Sequence, residues 1–595
     1  MGDTFKKLLM LFNNKEKKKL LILFFMMIIS AMFETIGIGL IVPFVGIVTN
    51  PTIIKEQAIL KYLYNLIGFK STTSFLIFSV FVLLFIYIIK NSYILFFQYC
   101  QNRVIMNQQI KLSRMLFNEY LKKPYTFHLQ RNTALLLRNV NEEVSKVFQQ
   151  IIISGFLLFT ELLVIFCILV LLLITSPMAT IVASVLLSGS VYLFLKAYRK
   201  KMSEMGKGLQ HANGMMIKWV NQGLGASKEV KVSGKEEFFV ESYSVYSKKS
   251  AIIKRGIMMF DQVPRLFIET LIVSIVLIIM LVIIFEGTNL STIVSTMALF
   301  AMAAFRLMPS INRVIAMIAA IRFNQPALSV IYEDLFTNKG EFPNNKVIEN
   351  EDYKIGFTNG GERIFKNSID LKGISFRYPN QNEFSIKDIS LTIPIGQSVA
   401  FIGESGAGKT TLVDIILGLF RPEKGTVSVD GMEIHQLGLK WQKNIGYIPQ
   451  SIFLSDDTVR GNIAFGIPND QIDDKAVWKA LEQAQLKEFV ESLPDKLETA
   501  VGERGVRLSG GQRQRIGIAR ALYHNPEIIF MDEATSALDN ETEKEIIAAI
   551  DKLKGEKTLI IIAHRLTTIE NCDIVFKINK GKLTTIERKL DQSVI

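Results

Sequence analysis

Cysteine is scarce: Cys100, Cys167 and Cys572 are the three in 595 residues. They lie far apart without ligand spacing, which excludes a disulfide framework and a cysteine zinc site. The sequence lacks any nucleic-acid-binding motif, so its net charge of +13 does not point to DNA or RNA. A basic balance also suits loops that face anionic lipid, and the long apolar runs favour that reading. A cleavable signal peptide is not expected, because the apolar run after "KEKKK" is too long and no small-residue cleavage site follows. The low hydropathy of a soluble enzyme of this length is missing as well. Apolar residues make up 49% of the chain and the mean hydropathy is +0.29.

What is present first is a series of six apolar segments, near Leu20–Val48, Phe75–Phe97, Ile151–Ile174, Met178–Lys196, Leu266–Phe285 and Thr292–Ile321. Most approach or exceed the ~20 residues that carry a helix across a ~30 Å hydrocarbon core. Positive charge orients them. The start is rich in lysine, and the connections after the second and fourth segments carry many Lys and Arg residues. The connections at Thr175–Pro177 and Glu286–Ser291 carry none. The N-terminus and the two long connections are therefore expected on the cytoplasmic side. "NRVIMNQQIKLSRMLFNEYL" repeats apolar residues at helical spacing, which predicts that the spans continue as helices beyond the membrane. One outer connection, Pro51–Lys70, places Ile59, Leu60, Leu63, Tyr64 and Ile67 on one helical face. It reads either as a helix on the outer membrane surface or as one packed on the ends of neighbouring spans.

From Asn338 the chain turns polar and rich in Gly and Asn, a linker composition. Beyond Ile369, "SVAFIG", "NIGYIP", "EIIFMDE" and "LIIIAH" read as buried parallel strands of an α/β domain. "GESGAGKT" (Gly403–Thr410) follows the first of these and opens the helical run "TLVDIILGLF". Strand, glycine loop and helix in that order form a phosphate-binding loop. Gly403, Glu404, Ser405, Gly406, Ala407, Gly408, Lys409, Thr410 and Thr411 are its candidate nucleotide contacts. Lys409 offers a point charge to the β- and γ-phosphates, and the Thr410 hydroxyl is a ligand for Mg²⁺. Asp532 ends the strand "IIFMD" as a second Mg²⁺ ligand, and Glu533 beside it is the candidate general base for the attacking water. "LSGGQ" (Leu508–Gln512) opens another helix, and Ser509, Gly510, Gly511 and Gln512 make a second anion site. One triphosphate does not need two such sites on one chain. The second is therefore expected to face the nucleotide of another copy.

"LSGGQ" is the signature of the ATP-binding cassette (ABC) transporters, and the whole chain resembles a half-transporter of the exporter type. The resemblance implies an α-helical six-span transmembrane domain (1–335), a linker (336–368) and an α/β P-loop nucleotide-binding domain (369–595). It also implies ATP and Mg²⁺ as cofactors and a homodimer in the cell membrane, most simply a bacterial inner membrane. Residue by residue, it implies that Tyr378 in "SFRYP" stacks on adenine and that Gln450 in "YIPQ" contacts Mg²⁺ and the attacking water. His564 is implied to contact the γ-phosphate, Asp539 in "SALD" to sit on the loop that crosses to the partner, and "VGERG" (Val501–Gly505) to meet the membrane half. His128, His211, His435 and His524 match nothing. No motif is degraded, which predicts two competent ATP sites per dimer.

The cargo must be read from the membrane half. No peptidase-like extension precedes the first span, which disfavours a processing peptide exporter. Charges at Glu34, Glu161, Glu269, Arg306 and Arg313 fall within or beside apolar segments, where they are costly. Counting ~1.5 Å per residue puts Arg306 roughly 20 Å into the sixth span and Arg313 roughly 30 Å in, near the inner boundary. The same count puts Glu161 and Glu269 roughly 15 Å and 5 Å from the inner side, either within reach of Arg306. Two readings stand: a buried Arg–Glu pair that fixes packing, with Arg313 reaching for the interface, or arginines that hold an anionic head group. "FETIGIGLIVPF" and "FRLMPSINR" resemble the flippases of lipid-linked oligosaccharides. That likeness implies a polyprenyl-pyrophosphate-linked sugar as cargo, with Arg306, Arg313 and Glu34 as candidate contacts. An exporter of drugs, simple lipids or peptides, and a membrane-anchored ATPase that moves nothing, are the alternatives.

Overall fold

The computed structural model describes residues 2–49, 54, 58–69, 71–175, 177–285, 290–337, 364–379, 381–532, 548, 551–563, 569 and 571–588. Some helical side chains in these ranges, that of Arg306 included, lie outside the description. The chain divides into two compact units. One is Met1–Lys123 with Arg131–Phe342; the other is Pro124–Gln130 with Pro343–Ile595.

The first unit is helical. The six apolar segments fall in six long helices, the third beginning two residues early in a π turn: α1 (Asn14–Thr49), α2 (Thr72–Lys122), α3 (Ile153–Thr175, reached through a π turn at Val147–Ile152), α4 (Pro177–Gly225), α5 (Glu236–Phe285) and α6 (Leu290–Tyr332). In hydrocarbon every backbone N–H and C=O must be satisfied within the segment, so an apolar run of this length becomes a helix. The helices outrun their apolar stretches, as the spacing predicts. Along α2 the buried residues Gln101, Ile105, Gln108, Leu112, Leu116 and Tyr120 recur every three or four positions. Ala31 of α1, Val164 and Ile168 of α3, Ile268 of α5, and Leu307 and Ile311 of α6 form one apolar core. Helix α6 is continuous through Pro309 and Pro326.

A polar core lies beyond the apolar stretches. π turns at Asn139–Glu143 and Val147–Ile152 interrupt the approach to α3. Tyr120 Oη donates to Asp334 Oδ2 (2.5 Å), and Asn139 Nδ2 donates to both (3.1 and 3.2 Å). Glu143, 1% exposed, accepts from Lys146 Nζ (2.8 Å) and Gln210 Nε2 (3.0 Å), with Arg138 Nε 3.5 Å away. These side chains come from α2, the 138–146 stretch, α4 and the turn after α6, so the network ties four segments together.

The outer connection holds a helix at Ala58–Ile67. Leu60 and Tyr64 pack with Ile47 at the end of α1, Phe75 at the start of α2, and Ile54 and Phe69 of the connection itself. Ile67, placed on the same face by its spacing, is exposed at the helix end, and Tyr62 and Leu66 are exposed on the opposite side. One face packs on the spans while the other remains apolar and open.

The second unit has two sheets. Strands β1 (Ser368–Phe376), β2 (Ile386–Pro394), β4 (Lys424–Val429) and β5 (Met432–Glu433) make an antiparallel sheet in the order β2-β1-β4-β5. Strands β3 (Ser398–Ile402), β6 (Ile445–Ile448), β7 (Ile528–Asp532), β8 (Thr558–Ile562), β9 (Ile574–Asn579) and β10 (Lys582–Arg588) make the other, ordered β10-β9-β3-β8-β7-β6. The four motifs read as buried strands are β3, β6, β7 and β8, and they run parallel. Successive side chains alternate between two cores. Phe530, Ile560 and Ile562 join the one shared with the antiparallel sheet. Ile529, Met531, Leu559 and Ile561 join the one built with the helix after "LSGGQ".

Candidate nucleotide site

Because β3, β6, β7 and β8 are parallel, the segments that leave their C-terminal ends gather at one edge of the sheet. The phosphate loop leaves β3, Gln450 follows β6, and Asp532 ends β7. Helix α7 (Lys409–Ile416) starts at Gly408, whose φ of +104° lies in the left-handed region. At Gly403 the constraint is spatial as well: φ is +146°, and a Cβ there would come within 2.1 Å of the Ile578 carbonyl oxygen. Lys409 is buried and its Nζ donates to the carbonyls of Gly403 (2.9 Å) and Glu404 (3.0 Å). The ammonium is thus held across the loop by groups a phosphate would replace. Thr410 is exposed at the loop, while Thr411 is buried and pairs its hydroxyl with Tyr378 Oη at 2.9 Å.

Asp532 is buried, and its charge is felt by a second carboxylate, Asp414. Burial, and then the charge of Asp532, push the Asp414 carboxyl up to about 7. Asp414 escapes a motif reading; its signal is a lone acidic residue in the apolar helix "TLVDIILGL". Burial and these same two carboxylates also raise Tyr447, which precedes Gln450 on β6. Gln450 itself is exposed.

The second anion site starts helix α8 (Gly510–Leu522). Ser509 Oγ accepts from Gln512 N (3.2 Å), and Gln512 Oε1 accepts from Ser509 N (2.8 Å), a reciprocal capping box. Arg513 Nη1 donates to the carbonyls of Leu508 (2.9 Å) and Gly505 (3.4 Å), which joins "VGERG" to the signature. Glu533, Asp539 and His564 lie outside the described residues.

Family models fit both units: one described as ABC transporter matches residues 386–536, and one described as ABC transporter transmembrane region matches residues 20–308. An ATP-dependent lipid A-core flippase of Cupriavidus metallidurans is 30% identical over 489 residues, covering 80% of this chain and 78% of that protein. The chain belongs to the ABC transporter family. A further relative is the mitochondrial ATP-binding cassette sub-family B member 10 of Mus musculus, 31% identical over 80% of this chain and 65% of its own length. A bacterial Atm1-family ABC exporter solved with ATP bound shares the fold, with a TM-score of 0.74 over 97% of this chain and 96% of that one, at 20% identity. The chain is an ATP-driven exporter: a multi-pass half-transporter whose second unit is the ATPase.

In this transporter's membrane half, Arg313 meets Glu161. Nε lies 2.7 Å from Oε1 and Nη2 donates to Oε2 at 3.3 Å. Depth counting put both Glu161 and Glu269 within reach of Arg306 and left Arg313 for the interface. The count assumed upright spans of equal start. The register of α3 on α6 is set by their packing, in which Val164 and Ile168 meet Leu307 and Ile311. Arg313 remains 45% exposed at its side chain while Glu161 is at 9%. Arg306 sits two helical turns away on α6, its side chain outside the description; Glu269 is exposed and Glu34 partly buried.

Proposed function

We propose that two copies of this chain close head to tail on two ATP molecules. Their cycle moves a polyprenyl-pyrophosphate-linked oligosaccharide from the cytoplasmic to the outer leaflet of a bacterial inner membrane. The observation that carries the cargo reading is Arg313: a guanidinium on an apolar helix whose pairing with Glu161 engages Nε and Nη2 and leaves the side chain half open. Arginine donors at fixed angles suit the oxygens of a phosphate or pyrophosphate. Relatives named as lipid A-core flippases support a lipid as cargo. Arg306 and Glu34 would line the same route.

In the ATP site, Tyr378 stacks on adenine. The loop from Gly403 to Thr411 wraps the phosphates, with Lys409 moving from the loop carbonyls onto them. Thr410, Gln450 and Asp532 offer a hydroxyl, an amide and a carboxylate, all hard oxygen donors that fit Mg²⁺. When bound, the ion neutralises charge on the phosphates. Glu533 draws a proton from the attacking water and His564 contacts the γ-phosphate. Ser509, Gly510, Gly511 and Gln512, with Asp539, complete the site of the other copy.

Reconstitution in liposomes with ATP and a fluorescent polyprenyl-pyrophosphate sugar tests the cargo. Arg313→Ala should slow translocation about tenfold, the worth of one charge-assisted pair, while basal ATP hydrolysis persists. Glu161→Gln keeps Arg313 and should slow it less. Equal loss in both variants would assign the pair to packing and remove the anion site.

A further inference from the structure

The second unit contains a piece of the membrane half's chain. The short helix Tyr125–Gln130, which follows α2 after Lys123 and Pro124, belongs to it by its contacts. Tyr125 there lays its ring on Phe420, 5.8 Å between centroids at 34°. Phe420 is 1% exposed and is the hub of an aromatic cluster. Phe376 of β1 stacks on it at 4.9 Å and 12°, and Tyr378 meets it edge to face at 5.5 Å and 83°. Tyr378 is held at its other end by the Thr411 hydroxyl on α7. The ring assigned to adenine is therefore fixed from two sides, by the phosphate-loop helix and by Phe420. Phe420 is in turn covered by Tyr125.

We infer that Tyr125 and Phe420 are positioning residues for ATP: through ring contacts they set the orientation in which Tyr378 receives adenine. The inference rests on the reading of Tyr378 as the adenine platform. Edge-to-face and stacked rings are directional, so a ring that loses one neighbour loses its preferred angle, not only buried area. The coupling is reciprocal. Whatever holds Tyr378 against a nucleotide also holds Tyr125, two residues from the end cap of α2.

The experiment measures KM and kcat for ATP in the purified full-length protein. Tyr125 is 42% exposed, so its replacement does not open the core. Tyr125→Ala should raise KM about fivefold, the size of one aromatic pair, with little change in kcat. Tyr125→Phe should restore the wild-type KM, since the ring and not the hydroxyl makes the contact. In a Tyr378→Ala background, Tyr125→Ala should add nothing. Phe420→Leu, which keeps most of the volume and removes the ring, should match Tyr125→Ala. An unchanged KM in Tyr125→Ala overturns the inference, as does a fivefold rise that persists in the Tyr378→Ala background. An unchanged KM in Tyr378→Ala alone overturns the adenine assignment and the relay with it.

Discussion

At the scale of a residue, Asp414 is the side chain whose chemistry the surroundings change most. Its carboxyl titrates at about 7 where 3.8 is ordinary, because burial and then the charge of Asp532 disfavour the anion. The native state therefore holds more protons than the unfolded state between those two values. Stability contributed by the neutral acid is present at low pH, falls as pH rises through that window, and is lost above about 7. Asp414→Asn, which stays neutral, should stabilise nucleotide-free, chelator-treated protein at about pH 8 by on the order of 2 kcal/mol, seen as a higher Tm. At about pH 4 the gain should vanish. A gain of equal size at both pH values would mean that the asparagine packs better, and that the carboxylates do not interact.

At the scale of elements, the π turns before α3 show a polar device inside a helical bundle. Glu143 accepts from Lys146 and Gln210, has Arg138 at ion-pair distance, and is almost completely buried. Removing it leaves the buried guanidinium of Arg138 without a carboxylate, while Lys146 keeps Glu142 and some solvent. Glu143→Ala should cost ~3 kcal/mol and Glu143→Gln about half of that. Trp219 is the first unit's tryptophan, so thermal unfolding followed by its fluorescence, with Trp441 and Trp478 of the second unit replaced by Phe, checks the order. A loss below ~1 kcal/mol in Glu143→Ala would show that solvent reaches the cluster. These π turns were not legible beforehand, since an apolar repeat of three and four does not distinguish a π turn from an α turn. The parallel strands were legible because burial on both faces writes them as unbroken apolar runs; β7 and β8 are buried at all five positions. The antiparallel sheet was not read, for β1 is irregular in its burial and shifts register twice against β2. Charges in the spans were visible as residues, yet their pairing depends on how α3 slides on α6. Only packing sets that. Asp414 and Phe420 stayed hidden for a related reason: neither matches a motif, and each acquires meaning from what the fold lays beside it.

At the scale of the whole molecule, the question is whether the phosphate loop and the "LSGGQ" helix of one chain serve one nucleotide or two. The head-to-tail reading predicts that each ATP meets Lys409 of one copy and Ser509 of the other. Two variants, each inactive as a homodimer, test this: Lys409→Ala in the phosphate loop and Ser509→Phe at the start of α8. Mixed dimers containing one chain of each kind hold one site with both halves altered and one with both halves intact. They should regain about half of the wild-type ATPase rate if the sites work independently, less if the two must fire together. The opposite arrangement places both changes on one chain and pairs it with a wild-type partner. Each site then carries one damaged half, so the dimer should be inactive. A site contained within one chain reverses both outcomes: the first mixture stays inactive, and the second keeps its wild-type half. Differential affinity tags isolate each mixture, and phosphate release measures it. The capping box sharpens the choice of variant, because Ser509 Oγ is already engaged by Gln512 within the chain. Ser509→Ala and Ser509→Phe both lose this cap, worth ~1 kcal/mol, so an equal Tm in the two variants separates the steric block from a folding defect. A bulky residue on the exposed cap blocks the approach of the facing nucleotide, and Ser509→Thr, which keeps the cap, serves as the control that must remain active.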